Sequence, residues 1–255
     1  MRFQLTAGAH MKDLPHARAT DLAAIALFLD IDGTIAEIMP RPDDVVPSRR
    51  RTQLMQEVCA ATSGRLAILS GRTLEDVDRI LEGIVPAVAA VHGLIQRMPD
   101  GTIVTTERSP LLSRVHDSIA EFIAAHDGVT VERKGFSYAM HYRAAPHQEQ
   151  AVRDFTAGIA AEMGLSVQNG SMVSEVRTPG PNKGSALKVF LTQPPFKGFT
   201  PVMVGDDLTD EDAFEAAAEM GGYGILVGSE RPSRAWFHIP SVPDVMSWLE
   251  ANAAG

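Results

Sequence analysis

Residues 23–34 read AAIALFLDIDGT, an apolar run that stops at an aspartate, Asp30, with a second aspartate, Asp32, two residues later. A short apolar run without alternation is typical of a strand that is buried on both faces, and Gly33 marks the turn that ends it. Strands of parallel sheets covered by helices have this composition. The stretch predicts a core strand with both aspartates at its carboxyl end.

The same alternation of strand and helix continues outward from this strand. After it we predict a helix from about 48 to 59, a strand at 65–69, a helix at 74–81 capped by Thr73, and a strand at 87–91. The pattern returns later with a helix at 183–191, strands at 202–204 and 224–227, and a helix that opens near Thr209. Such alternation predicts β-α-β units around a parallel sheet, whose strand ends share one edge.

Residues 108–177 interrupt this alternation. Helices are predicted at about 110–125 and 146–163, and each is followed by a pair of strands. In the first pair, Val129 and Val131 alternate with polar residues, which predicts one packed face and one exposed face. The predicted organisation is an α/β core of residues 1–107 and 178–255 with an inserted α+β domain at 108–177, joined by hinges near 105–110 and 177–182.

Composition excludes several classes of partner. The net charge of −9 argues against nucleic acid and anionic membranes, and no apolar stretch approaches the roughly 20 residues that span a bilayer.

The segment through Ala19 lacks the pattern of a signal peptide, and Met11 is an alternative start. Cys59 is the only cysteine, and we interpret it as a small apolar residue rather than a nucleophile. A cytoplasmic protein is expected.

Polar residues follow three of the predicted core strands and open one core helix. They are Asp30 and Asp32, Ser70 and Gly71, Asp206 and Asp207, and Lys183. A single aspartate in such a place is usually a turn or cap residue. Several carboxylates at one sheet edge repel one another, and a hard divalent cation relieves that repulsion. Mg²⁺ is the expected ion because it is commonly shared between a few carboxylates and a substrate phosphate.

This set of groups suits phosphoryl transfer. One of Asp30 and Asp32 can attack phosphorus to form an aspartyl-phosphate, while the other protonates the leaving oxygen and then accepts a proton from water. Lys183, Ser70 and the backbone amides around Gly71 suit the charge that develops on the phosphoryl oxygens.

Four segments resemble the ordered motifs of the haloacid dehalogenase superfamily: DIDGT at 30–34, LSGR at 69–72, NKG at 182–184 and GDDLTDED at 205–212. The resemblance implies a Rossmann-like parallel-sheet core with an inserted cap. It implies that Asp30 is the nucleophile and Asp32 the general acid and base. It also implies that Asp30, the Asp32 carbonyl and Asp206 bind Mg²⁺, and that Asp207 and Asp210 act beside the ion or through water.

The inserted domain narrows the resemblance to the trehalose-6-phosphate phosphatase family. The segments that carry it are ERKGFS at 132–137, HYR at 141–143 and EVR at 175–177, with PNKG at 181–184 and residues 205–212, and the similarity runs from about residue 27 to 227. It implies a cap that closes over the core and binds the sugar through Glu132, Lys134, His141, Arg143 and Glu175. The alternative for these residues is a solvated strand face, and His141 is equally consistent with a structural role. Arg72 and His92 are candidates only.

The resemblance implies hydrolysis of trehalose 6-phosphate to trehalose and phosphate, the last step of trehalose biosynthesis. A trehalose-phosphate synthase partner is then expected to be a separate chain. One alternative keeps the chemistry but changes the sugar, as in a sucrose-phosphate or glycosyl-phosphoglycerate phosphatase. Another is a catalytically inactive sugar-phosphate sensor, against which the presence of Asp30, Asp32, Lys183 and Asp206 argues.

Overall fold

The computed structural model describes residues 14–17 and 19–254, so Met11 lies outside the described residues. The chain divides into two compact units. The first contains the described residues through Thr105 and those from Pro181 onward, and the second is Thr106–Gly180. Among the helices of these described residues, none is long and apolar enough to cross a membrane.

The described residues contain twelve strands, numbered in chain order: β1 Ile25–Leu29, β2 Leu66–Leu69, β3 Ala87–Ala90, β4 Ile95–Arg97, β5 Ile103–Thr105, β6 Thr130–Lys134, β7 Ser137–His141, β8 Ser166–Gly170, β9 Val173–Arg177, β10 Thr200–Gly205, β11 Tyr223–Val227 and β12 Phe237–Ile239. The α-helices are α1 Arg49–Ala61, α2 Leu74–Leu81, α3 His116–Ala124, α4 Glu149–Met163, α5 Lys183–Leu191, α6 Glu211–Glu219 and α7 Val242–Ala253.

The first unit is built on an eight-stranded sheet of order β12-β11-β10-β1-β2-β3-β4-β5. The six strands from β12 to β3 are parallel, and every residue of β1, β2 and β3 is buried. Leu29 is level with Val204 of β10 and Ile68 of β2, so these three strands end at one edge. The predicted α/β class and parallel core are confirmed.

The core sheet is not wholly parallel, because β4 and β5 extend it as antiparallel strands. Neither strand is among the elements predicted from the sequence. Each has three residues, and all of β5 is exposed, with Ile103 at 55%. Strands of three residues are too short to show the alternation of apolar and polar residues that could reveal them.

Two other predicted elements differ in the structure. The strand predicted from Ala23 begins only at Ile25, because Leu22–Ala24 form a 3-10 turn. The helix predicted at 110–125 begins as a 3-10 helix over Pro110–Val115, and α3 starts at His116. Pro110 has no N–H to donate, and Ser109 caps the N–H of Leu111, which together favour a tight turn at this end.

Aromatic packing fixes α5 against the sheet. Phe28 of β1 contacts Phe190 of α5 and Phe196, with ring centroids 6.4 and 5.5 Å away. All three rings are fully buried. Because α5 is held by its carboxyl-terminal half, its first residue, Lys183, has a fixed place at the edge of the sheet.

The second unit is a four-stranded antiparallel sheet of order β6-β7-β9-β8, with α3 and α4. Tyr138, Met140 and Tyr142 lie in its apolar core, as the alternation predicts. The prediction that Val131 is packed is wrong: it is 41% exposed, because it lies on the edge strand β6. The opposite face is not uniformly exposed either, since Ser137, Ala139 and Glu175 are buried.

Candidate active site

Three carboxylates meet at the carboxyl edge of the core sheet. Asp30 follows β1, Asp206 follows β10, and Asp210 ends the 3-10 helix between β10 and α6. One oxygen from each lies within 4.8 Å of the others. We call Asp30, Asp206 and Asp210 the carboxylate cluster. Its members lie in the loops that follow two neighbouring strands, β1 and β10, so the shared edge of the parallel sheet brings them together.

Lys183 joins two members of the carboxylate cluster. Its Nζ donates to Asp30 Oδ2 and to Asp210 Oδ1, both at 2.7 Å, and the side chain is 1% exposed. Asn182 begins α5 with a reciprocal capping box to Ser185, which fixes the direction in which Lys183 leaves the helix. Burial lowers the pKa of Lys183, but the charges of Asp210 and Asp30 outweigh it, so the pKa lies above its ordinary value.

One lysine does not balance three carboxylates. Burial, then the charge of Asp210, raises the pKa of Asp30 to about 7 against the opposing effect of Lys183. Burial and the charges of Asp30 and Asp210 raise the pKa of Asp206 to about 9. Asp206 Oδ1 is buried and accepts no hydrogen bond from residues 14–17 or 19–254. Hard oxygen donors with unmet negative charge fit a divalent cation.

Gly33 allows the loop after β1 to approach the loop after β10. Its φ is +73°, and a Cβ there would lie 2.1 Å from Asp206 Oδ2. Gly71 is similar, since its Cβ would lie 2.6 Å from the ring of His92. The glycines of two motifs therefore leave the space that the neighbouring side chains occupy.

Asp32 lies apart from the carboxylate cluster in an ion pair with Arg72. Arg72 Nε donates to Oδ2 at 2.6 Å and Nη2 donates to Oδ1 at 2.7 Å, while Nη1 donates to the Pro42 carbonyl at 3.0 Å. The sequence identifies Arg72 only as a candidate. Its position directly after Ser70-Gly71 was the available signal, but the pairing of strands β1 and β2 was needed to identify the partner.

The other predicted core residues support the loops. The Oγ of Ser70, which is fully buried, accepts the backbone N–H of Arg72 at 3.3 Å. The backbone N–H of Asp207 donates to Asp210 Oδ2 at 3.0 Å. Both oxygens of Asp210 therefore accept hydrogen bonds, one from Lys183 and one from Asp207. Asp210 orients Lys183 and the turn after β10.

In the second unit, four predicted residues lie together on one face of the sheet: Glu132, Lys134, His141 and Glu175. We call them the sheet cluster. His141 Nε2 lies 3.1 Å from Glu132 Oε2, and Lys134 Nζ lies 3.7 Å from Glu132 and 3.8 Å from Glu175. Ala139 is level with both glutamates and leaves room between them.

Charges within the sheet cluster are mutually compensating. Burial raises the pKa of Glu132, but the hydrogen bond from His141 and the charge of Lys134 outweigh it and hold the pKa below its ordinary value. Arg143 is placed differently from the four: it follows β7, is exposed, and its guanidinium reaches the Ser171 carbonyl at 3.4 Å.

A parallel-sheet core with carboxylates and a lysine at its strand ends, interrupted by an α+β insertion, agrees with the resemblance of the sequence to phosphatases of the haloacid dehalogenase type. The trehalose-phosphatase family model matches residues 28–240. The chain belongs to the trehalose-phosphatase family.

Individual comparisons agree with this membership. The chain is 36% identical over 230 residues to the trehalose-6-phosphate phosphatase of Escherichia coli K12, covering 89% of this chain and 86% of that protein. It is 34% identical to a probable trehalose-phosphate phosphatase of Sinorhizobium fredii, covering 95% and 92%. The C-terminal domain of Candida albicans trehalose-6-phosphate phosphatase has the same fold, with a TM-score of 0.83 at 22% identity, covering 95% of this chain and 99% of that domain.

Proposed function

We propose that this protein hydrolyses trehalose 6-phosphate to trehalose and inorganic phosphate, with Mg²⁺ as its cofactor and Asp30 as the nucleophile. The observation that carries the proposal is the carboxylate cluster with Lys183 at its centre, in a chain of this family. Asp30 lies against the lysine, and Asp206 presents a buried oxygen that no described residue satisfies.

Asp30, the Asp32 carbonyl and Asp206 would hold the ion. When bound, Mg²⁺ would neutralise carboxylate charge and polarise the phosphoryl group. Asp207 and Asp210 then orient the site from beside it.

The first chemical step transfers the phosphoryl group to the protein. A carboxylate oxygen of Asp30 forms a bond to phosphorus, and the bond from phosphorus to the trehalose oxygen breaks. Asp32 donates the proton that the leaving oxygen takes up. Lys183, Ser70 and the amides near Gly71 stabilise charge on the phosphoryl oxygens. In the second step water attacks phosphorus, Asp32 takes its proton, and phosphate and free Asp30 result.

Asp32 must turn for this role. Both of its oxygens accept hydrogen bonds from Arg72, and its side chain is 37% exposed while that of Arg72 is 8% exposed. The more exposed partner has room to rotate, and Arg72 is held by its further bond to the Pro42 carbonyl. We propose that Asp32 leaves Arg72 when it transfers a proton.

The sheet cluster supplies the contacts to the sugar in this proposal. A disaccharide offers hydroxyls that both donate and accept, and charged side chains form the stronger hydrogen bonds to them. Glu132 and Glu175 accept, Lys134 donates, and His141 can do either depending on its tautomer. Arg143 belongs to this predicted set as well, from its place after β7.

A panel of sugar phosphates assayed with and without Mg²⁺ tests the proposal. Trehalose 6-phosphate is expected to have the highest kcat/KM, and chelation is expected to abolish turnover. A clear preference for sucrose 6-phosphate or a glycosyl-phosphoglycerate would replace the substrate assignment. Binding of trehalose 6-phosphate without hydrolysis would favour the sensor.

A further inference from the structure

Arg231, in the loop between β11 and β12, lies against the loop that follows β10. Its Nη2 donates to the main-chain carbonyls of Asp206 at 3.2 Å and Asp207 at 2.9 Å. Its Nη1 donates to the Glu211 carboxylate. One planar guanidinium thus connects the first residue of α6 with the backbone of two motif aspartates.

Glu211 also binds two other residues of the loop between β11 and β12. It is 7% exposed, its Oε1 accepts the hydroxyl of Ser233 at 2.8 Å, and its Oε2 accepts the backbone N–H of Arg234 at 2.7 Å. A nearly buried carboxylate with this many donors is fixed in place. The loop is therefore attached to the start of α6 at three of its residues.

The side chain of Asp206 lacks comparable support. Its Oδ1 accepts no hydrogen bond from any described residue, and the charges of Asp30 and Asp210 repel it. The direction of this carboxylate therefore depends on where its main chain is held. Arg231 is bonded to that main chain at the carbonyls of Asp206 and the residue after it.

We propose that Arg231 is a positioning residue for the divalent cation, fixing the backbone of Asp206 so that its carboxylate points at the ion. This inference rests on the proposed metal site and adds a residue outside the four motifs. Glu211 takes part by orienting the guanidinium. Replacing a group that orients a metal ligand in this indirect way typically lowers metal affinity or activity about 10- to 100-fold.

The chain offers a matched control for the loss of such an arginine. Arg97 also binds a carboxylate, that of Asp78, at 2.7 and 2.8 Å. It also donates to two main-chain carbonyls, those of Pro86 and Val85, both at 2.9 Å. Arg97→Met therefore removes the same kinds of hydrogen bond from a place that touches no member of the carboxylate cluster.

The test is a titration of the full metal-free chain with Mn²⁺. The paramagnetic resonance signal of free Mn²⁺ measures how much of the ion remains unbound. Arg231→Met is expected to weaken Mn²⁺ binding about 10- to 100-fold, while Arg97→Met binds as the unaltered protein does. Arg231→Lys keeps the charge but cannot reach Glu211 and both carbonyls, so it is also expected to bind more weakly. Circular dichroism checks that each variant folds. If Arg231→Met does not fold, Arg231→Lys serves as the test variant in its place.

Unaltered affinity in both Arg231 variants would overturn the proposal, as would an equal loss in Arg97→Met. Failure of the unaltered protein to bind Mn²⁺ is a different result. It would refute the metal site of the proposed function and the role of Arg231 with it.

Discussion

Asp30 combines burial with a close cation, and the two have opposite effects on its carboxylate. Burial favours the neutral acid, whereas Lys183 at 2.7 Å favours the charged form; burial outweighs the lysine, so the pKa of Asp30 is raised to about 7. A nucleophile must be ionised, and a dry, charged surrounding is also where electrostatic stabilisation of a phosphoryl group is strongest. Asp206 adds a second buried carboxylate that a cation can neutralise.

Asp30→Asn tests the nucleophile. The change keeps the shape of the side chain but removes its charge, so turnover of trehalose 6-phosphate is expected to fall by at least about 1,000-fold. The fold is expected to persist, because the substitution also relieves repulsion from Asp210 and Asp206. Steady-state kinetics and thermal unfolding of the variant measure the two effects. Asp100→Asn, in the turn between β4 and β5, is the control and should leave both unchanged.

Glu132→Gln tests the charge balance of the sheet cluster through pH. His141 and Lys134 lower the pKa of Glu132 against burial and the charge of Glu175. A lowered pKa means that the ionised form stabilises the fold above the unfolded value of about 4.3, and that this contribution is lost as pH falls through the folded value. The Tm of Glu132→Gln should therefore lie below that of the unaltered protein at neutral pH. The difference should shrink in acid, and one that grew as pH fell would contradict the account.

At the scale of elements, the ends of β1 and β10 must pass unusually close to each other. Gly33 allows this, both by its φ of +73° and by the space it leaves for Asp206. Gly83, after α2, has a similar φ of +69°, but a Cβ at that position would meet no atom within 4 Å. Comparing the two glycines therefore separates the effect of backbone conformation from the effect of space.

Gly33→Ala is expected to lose stability and metal binding together. Gly83→Ala incurs only the cost of a left-handed backbone, about 1–2 kcal/mol. Gly33→Ala should cost more and should also abolish the rise in Tm on adding Mg²⁺, because the new carbon displaces the Asp206 carboxylate. Urea unfolding gives the first quantity and thermal unfolding with and without Mg²⁺ the second. An undiminished Mg²⁺ effect in Gly33→Ala would show that its space is not needed.

The sequence predicted elements best where a single pattern determines them. The buried runs of β1, β2 and β3 and the capped helices α2 and α5 needed only local signals. Local signals do not predict the exposure of Ile103 and Val131, because solvent access depends on which strand lies at an edge of the sheet. That order is set by contacts between residues distant in sequence.

The residues of the candidate site divide in the same way into those that local sequence predicts and those that it does not. The edge rule brought Asp30, Asp206 and Lys183 together from the sequence, because any parallel sheet aligns its strand ends. The pairing of Asp32 with Arg72, and the contacts of Arg231, depend on side-chain directions and on a loop without a motif. Local sequence carries no signal for either.

At the scale of the whole molecule, the proposed function assigns chemistry and specificity to different units. The carboxylate cluster belongs to the first unit and the sheet cluster to the second. A change in the sheet cluster should therefore affect the choice of substrate more than the chemical step.

Lys134→Ala tests this division. Loss of a charged hydrogen bond to the sugar, about 1.5–3 kcal/mol, should lower kcat/KM for trehalose 6-phosphate about 10- to 100-fold. A small ester such as p-nitrophenyl phosphate should lose much less. Arg133→Ala is the matched control, since Arg133 is the exposed neighbour on the same strand with its side chain near the Tyr138 ring on the other face. Equal losses for both substrates would remove Lys134 from the sugar site.

Chemical trapping of the phosphorylated carboxylate tests most directly whether Asp30 is the nucleophile. The protein would be mixed with trehalose 6-phosphate and Mg²⁺ and quenched during turnover. Borohydride would then reduce any acyl phosphate to an alcohol, and mass spectrometry would identify the modified residue. Homoserine is expected at position 30, and none is expected when substrate or Mg²⁺ is left out. Turnover with homoserine at another position, or with no trapped residue at all, would contradict it.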